Sequence, residues 1–325
     1  MQSTAAPADF AAFQATAGKI AANMEHVISG KPDVVRLALA VLLAEGHLLL
    51  EDVPGVGKTQ LAKALARSVD CGVNRIQFTP DLLPGDVTGV SVWDQDKHEF
   101  TFKPGAVFSH LVIGDEINRA SPKTQAALLE CMEERQVTVD GSTYGLASPF
   151  MVIATQNPID MEGTYPLPEA QRDRFTARAT IGYPDRATEL RILNQHGAHN
   201  PLEELAPVCD APTVARMILE ARSVHVSEDL KHYTVSLVAA SRQHPHVRLG
   251  ASPRASLQLL RCARAWAALE GRHFVLPDDI QRLAGPVLAH RLVLTAEAAV
   301  ASREPSAIVS ELLQQVPVGA ARAAN

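Results

Sequence analysis

Five short segments with chemical capacity fall along the chain in one order: GVGKT at Gly55–Thr59, GDE at 114–116, TQN at 155–157, DRF at 173–175 and SPR at 252–254. The first follows a strand-like LLL run and opens a helical pattern with Leu61, Leu65 and Val69 on one face. In that context backbone amides and a helix N-terminus face a phosphate, Lys58 reaches the terminal phosphates, and Thr59 ligates Mg²⁺. Pro54, Gly55, Val56, Gly57, Lys58, Thr59 and Gln60 are therefore the candidate nucleotide-binding stretch. The usual first glycine of such a phosphate loop falls at Asp52.

His110–Gly114 reads as a buried strand that runs into Asp115 and Glu116. Two acids at the end of a core strand are costly unless a cation or a water uses them. Asp115 is the candidate carboxylate that holds Mg²⁺ through its water shell, and Glu116 the candidate base that polarises the attacking water. Asn157 falls just past another core strand, where an amide reaches the γ-phosphate and the lytic water. Arg172 and Arg174 flank Asp173, with Phe175 as the anchor of the segment. An arginine supplied by a neighbouring subunit stabilises charge in phosphoryl transfer and raises its rate by roughly 10³–10⁵; Arg174 is favoured for that role and Arg172 is its rival. Arg254 sits in the first turn of a helix, where a cation needs a facing anion, either a phosphate or a surface carboxylate. Thr79, after the second strand, is a candidate to hold Glu116 idle until nucleotide binds. The pairs His196/His199 and His244/His246 lack an acid or cysteine nearby to complete a metal site and read as solvated histidines.

The elements that must position these residues follow from periodicity. Residues 1 to about 45 read as an Ala-rich helical lead-in. From 46 to 184, buried strands at His47–Glu51, Asn74–Phe78, Leu111–Gly114, Phe150–Thr155 and Arg178–Ile181 alternate with helices, which predicts a parallel sheet covered on both faces. Asp81–Pro104 and Gln136–Tyr144 break the alternation and read as inserted hairpins, the second around an Asp-Gly turn. Residues 185–325 form a smaller all-helical unit with helices near 185–197, 212–222, 227–243, 252–270, 277–290 and 304–315. Ser252-Pro253 gives one of them an N-cap with proline at its first position, and Leu259, Cys262, Trp266 and Leu269 give it a buried stripe.

Bulk properties narrow the function. A chain of 325 residues with 46% hydrophobic content has enough material for a sizeable core, and a net charge of −6 with no basic run opposes broad nucleic-acid binding. Cys71, Cys131, Cys209 and Cys262 are scattered without CxxC spacing and read as reduced thiols. The most apolar run, Val34–Leu50, is broken by Arg36, Glu45, Gly46 and His47, so no direct membrane insertion is expected. The first residues lack a signal peptide's charge and apolar stretch, which points to a cytoplasmic location.

LLLEDVPGVGKT, GDEINRASPKTQAALLECMEE, QVTVDG, ATQNPIDMEGTYPLPEAQRDRF and GASPRA resemble the signatures of the MoxR family of AAA+ ATPases, in that family's order, over about residues 10–316. The resemblance implies an AAA+ αβα sandwich with a parallel sheet, two hairpin insertions and a helical lid. It further implies ATP as the nucleotide, hexamers with ATP at each interface, and a chaperone-like role that matures enzymes or inserts metals and cofactors. A partner with a von Willebrand factor A domain and a protein client come with it. Relatives often carry alanine at the position of Gly114 and a small or aliphatic residue at that of Arg172. Two other readings stand beside remodelling: an ATP-gated assembly adaptor with little turnover, which Glu116 and Arg174 oppose, and a nucleic-acid motor, which the acidic balance opposes.

Overall fold

The computed structural model describes residues 10–157, 164–195 and 201–318. Two helices lead in, α1 (Phe10–Val27) and α2 (Pro32–Leu43), followed by β1 (Leu48–Glu51) and α3 (Lys58–Ser68). The apolar run of the lead-in is thus a core helix followed by a core strand. After β2 (Val73–Gln77) come a short α4 (Pro84–Thr88) and the hairpin β3 (Gly89–Asp94)–β4 (Glu99–Pro104). Next are β5 (Leu111–Asp115), α5 (Pro122–Glu134), the hairpin β6 (Gln136–Val139)–β7 (Ser142–Gly145), β8 (Met151–Gln156), the one-turn α6 (Glu169–Arg172) and β9 (Ala177–Ala179).

The sheet has the order β2-β5-β8-β1-β9, and its four strand pairings are all parallel. Alternate side chains leave opposite faces of a strand, and here both faces are covered. Leu48, Leu50, Leu111, Ile113, Met151 and Ile153 face a core shared with α1, α2 and α3. Leu49, Val112, Val152 and Ala154 face a second core with Leu128, Leu129 and Met132 of α5 and with Phe78 and Phe150. This is why the strands read as continuous apolar runs. The five strands of this sheet bring their C-terminal ends to one edge, and the phosphate-loop stretch, Asp115, Glu116 and Asn157 sit at those ends.

Both insertions are antiparallel hairpins. The second turns through Asp140 and Gly141, at φ 50° and 78°, the left-handed backbone that a two-residue loop requires. Phe102 of the first hairpin stacks on Tyr144 of the second at 4.0 Å, so the two lean on each other. Further out, Trp93 and Phe100 form an edge-to-face pair at 5.2 Å and stay largely exposed.

From Arg186 onward the chain is helical: α7 (Arg186–Gln195), α8 (Ala211–Ser223), α9 (Glu228–Gln243), α10 (Pro253–Leu269), α11 (Pro277–Leu288), α12 (Ala296–Val300) and α13 (Pro305–Gln315). One feature corrects the all-helical reading. Val247–Leu249 and Val293–Leu294 pair as a small antiparallel ribbon, too short to leave a period-2 signature. Leu259, Cys262, Trp266 and Leu269 are buried as their spacing predicts, and α10 packs on α1 and α2. All four cysteines are free thiols, and burial pushes those of Cys71, Cys131 and Cys262 up to about 12. Among the described residues no helix is long and apolar enough to cross a membrane.

His47 ties three elements together. Its Nε2 lies 3.0 Å from the Met132 carbonyl at the end of α5, and its Nδ1 accepts from the Val152 amide of β8 at 2.9 Å. The neutral ring therefore satisfies both partners. Burial is the main cause that lowers its pKa to about 4. The unfolded chain takes up this proton near pH 6.5 and the folded chain near 4, so stability is full above that window and falls as pH drops through it. The expected loss is about 3 kcal/mol. Urea unfolding between pH 7 and 4 checks this, and His47→Gln should flatten the dependence by this residue's share.

Candidate functional site

The loop between β1 and α3 turns through Gly55 at φ 83° and Gly57 at φ 94°. A Cβ at Gly55 would meet nothing within 4 Å, so glycine is needed there for its backbone rather than for space. Pro54, Gly55, Gly57, Lys58, Thr59 and Gln60 line a cleft of about 370 Å³ together with Arg75, Gln77, Asp115, Glu116, Thr155 and Asn157. Val56 instead packs against the core. Residues from four separate stretches of sequence thus meet in one place.

Asp52, in the position of the missing glycine, braces the loop. One carboxylate oxygen accepts from the Val53 amide at 2.8 Å and the other from the Gly182 amide at 2.6 Å, which ties the loop to the chain leaving β9. Lys58 Nζ donates to the carbonyls of Asp52 and Gln156. Burial lowers the Lys58 pKa, against the carboxylates of Asp52, Glu116 and Asp115, which raise it.

Asp115 is buried, as the end of a core strand must be. Its Oδ1 accepts from the Thr59 hydroxyl at 3.0 Å, and its Oδ2 from Arg75 Nε at 2.7 Å. A hydroxyl and a carboxylate oxygen side by side fit Mg²⁺, which takes few protein ligands and completes its shell with water and phosphate. Among the described residues no group of three or more His, Cys, Asp or Glu could hold a metal, so a dedicated protein cage is not part of this site. His244 does have one acid, Glu311, at 3.3 Å; His196 and His199 lie outside the described residues.

Glu116 adopts φ 57°, a left-handed backbone that costs a side-chain-bearing residue about 1–2 kcal/mol. Its amide donates to the Thr155 hydroxyl at 3.0 Å, which helps hold the conformation. Its Oε2 accepts from Arg119 at 2.9 Å and from Gln77 at 3.2 Å. The Thr79 expectation is therefore corrected: Gln77, the last residue of β2, and not Thr79, donates to Glu116. Gly114 also has a physical reason, since a Cβ there would come within 3.0 Å of the Phe78 ring. Asn157, at the end of β8, faces the same cleft.

The arginines lie elsewhere. Arg174 and Arg254 line a separate cavity of about 240 Å³ with Glu133 and Arg261, and neither lines the phosphate-loop cleft. Arg174 Nε is 3.6 Å from Glu133 Oε2, and Arg254 bonds the other oxygen of the same carboxylate. Of the two anions open to Arg254, the structure shows the carboxylate. Arg172 lines a third cavity, near Glu51 and Gln156. Phe175 is fully buried and anchors the segment, as its type predicts.

Sequence reasoning missed Glu133, Gln77, Arg75, Arg119 and Arg291. The only local hint was at Arg291, a charge embedded in the apolar run LAHRLVL, which calls for a buried partner.

A parallel sheet in this strand order, with a phosphate loop after β1, paired acids after β5 and a polar residue after β8, defines an AAA+ P-loop ATPase fold. Residues 47–177 match the model of the ATPase family associated with various cellular activities, and residues 239–312 that of the AAA lid domain. Chaperone MoxR1 of Mycobacterium tuberculosis is 41% identical over 90% of this chain and 80% of its own length. Protein MoxR of Paracoccus denitrificans is 32% identical over 84% and 87%. The uncharacterized protein YeaC of Bacillus subtilis is 50% identical over 94% and 96%. A crystal structure from Cytophaga hutchinsonii, described as that of a candidate ATPase, superposes with a TM-score of 0.89 at 37% identity, covering 95% of this chain and 97% of that one. The chain belongs to the MoxR family of AAA+ ATPases.

Proposed function

We propose that the protein hydrolyses ATP at the interfaces of a homo-oligomeric ring, a hexamer, and uses the cycle to remodel protein clients. The observation that carries this is the division of the site: the phosphate loop, Asp115, Glu116 and Asn157 share one cleft, while Arg174 and Arg254 share another. A neighbour presenting its arginine face to the cleft adds positive charge beside Lys58 and Arg75. In this reading Lys58 and the loop amides bind the β- and γ-phosphates, and Thr59 with Asp115 would hold Mg²⁺, which when bound would neutralise phosphate charge. Glu116 takes a proton from water as the water oxygen bonds the γ-phosphorus and the bond to the β-phosphate oxygen breaks. Asn157 orients that water. Arg174 of the adjoining subunit stabilises the charge that develops, and Arg254 joins it.

Arg174 is preferred to Arg172 because it shares its cavity with Arg254. The core 46–184 would carry the chemistry and the lid 185–325 the second arginine. A chaperone-like role is supported by the relative named Chaperone MoxR1, and the exposed Trp93–Phe100 pair offers apolar surface for a protein client. A partner with a von Willebrand factor A domain and a cytoplasmic location remain parts of the proposal that the family resemblance carries.

The test is the rate of ATP hydrolysis per subunit across a dilution series with Mg²⁺. It is expected to rise with protein concentration until assembly is complete. A rate per subunit independent of dilution, with dissociation verified by light scattering, contradicts the shared site.

A further inference from the structure

We infer that Arg291 of the lid is the positioning residue that sets the backbone of Arg174, and so couples lid placement to catalysis at the neighbouring subunit's site. The inference rests on the trans role proposed for Arg174.

Arg291 follows α11 in a single turn of 3-10 helix, and its side chain is 1% exposed. A guanidinium in such a place is costly unless its donors are matched, and here they are matched by the segment around Arg174 together with the Val287 carbonyl of α11 and the Gln258 side chain of α10. Nε donates to Asp173 Oδ1 at 2.7 Å. One terminal nitrogen donates to the Asp173 carbonyl at 3.1 Å and the Phe175 carbonyl at 2.6 Å, and the other to the Thr176 carbonyl at 3.3 Å. The carbonyls on either side of Arg174 are thus gripped by one planar group. His290 adds a ring nitrogen 3.0 Å from the Phe175 carbonyl. Only residues 173–176 connect α6 to β9; their amides donate to the Glu169, Gln171, Arg172 and His47 carbonyls, and Arg291 fixes the connection from its carbonyl side.

The same guanidinium also bonds Gln258 Oε1, one turn beyond Arg254 on α10. The second oxygen of Asp173 accepts from the Ser252 hydroxyl at 2.9 Å. Ser252 is the N-cap residue of α10, yet its hydroxyl makes no capping bond, so the expected cap is diverted to Asp173. Arg291 and Asp173 therefore register Arg174 and Arg254 against each other. Displacing a reacting group by about 1 Å costs on the order of 100-fold in rate, so a shift of this joint is expected to be felt in turnover. A plain structural ion pair would instead affect stability and every property of its own subunit alike.

Arg291→Lys, and Asp173→Asn as a near-isosteric second variant should the first not fold, are the substitutions to make. Each is expected to lower kcat about 10- to 100-fold while ATP affinity stays within about twofold. Mixed with Glu116→Gln subunits, each is expected to regain activity, because the variant's intact Glu116 then meets a well-placed Arg174 from its neighbour. An Arg174→Ala plus Glu116→Gln mixture runs alongside. Unchanged kcat in the folded variants overturns the inference, and so does a loss that mixing does not relieve while the Arg174→Ala loss is relieved. If the Arg174→Ala mixture also stays inactive in confirmed co-assemblies, the trans reading itself has failed and this inference falls with it.

Discussion

Arg174→Ala is expected to bind ATP normally, assemble, and lose on the order of 10³–10⁵ in turnover, the range for arginines supplied in trans to phosphoryl transfer. ATP binding should survive because Arg174 does not line the cleft that holds Lys58 and the phosphate loop. Turnover should not survive, because the charge that develops on the transferring phosphate then lacks its counter-charge. The Glu133 contact is no obstacle to this role. Both side chains are about one-third exposed and 3.6 Å apart, and a pair of that kind is worth roughly 0–1 kcal/mol. Charge-assisted, bidentate bonds to phosphate are stronger, so the carboxylate can hold the arginine in place and still release it. Steady-state hydrolysis together with fluorescent-nucleotide binding checks both halves; weakened ATP binding in a subunit that still folds would mean a cis role.

Glu116→Gln is expected to abolish most turnover, by about 10²–10⁴, the contribution of a positioned general base. ATP affinity should hold or rise, with the population shifted toward the assembled form. The carboxylate lies in the cleft near Lys58 and accepts from Gln77 and Arg119, so the amide replaces an acceptor of these two hydrogen bonds rather than a loop contact. Isothermal titration and sedimentation with ATP measure these effects. Turnover within a few-fold of the parent would remove Glu116 from the reaction.

What could be read from sequence was what is local. GVGKT, the paired acids and the strands carry their meaning within a few residues, because a buried parallel strand must be apolar along its whole length and a phosphate loop needs glycines at fixed offsets. The second hairpin was legible from its Asp-Gly turn, the first from the break it makes in the strand–helix alternation, and Phe175 from its apolar character beside three charges. The environment of the arginines was not, because it depends on where α5 and the lid come to rest. Glu133 meets Arg254 across 121 positions of sequence and Arg291 meets Asp173 across 118. No periodicity encodes such pairs. Asp52 was visible as a departure but not as a brace, since its partner Gly182 lies 130 positions away. The Thr79 expectation failed by two residues: Gln77 ends β2 with a longer side chain, long enough to reach Glu116.

The most direct test of the shared site is to mix Arg174→Ala and Glu116→Gln subunits, each nearly inactive alone, and measure ATP hydrolysis in confirmed co-assemblies. If the site is shared, activity returns at interfaces that pair an intact Glu116 with an intact Arg174, and rises to a maximum at intermediate mixing ratios. A mixture that stays as inactive as its parts would contradict a site completed by the neighbouring subunit through Arg174.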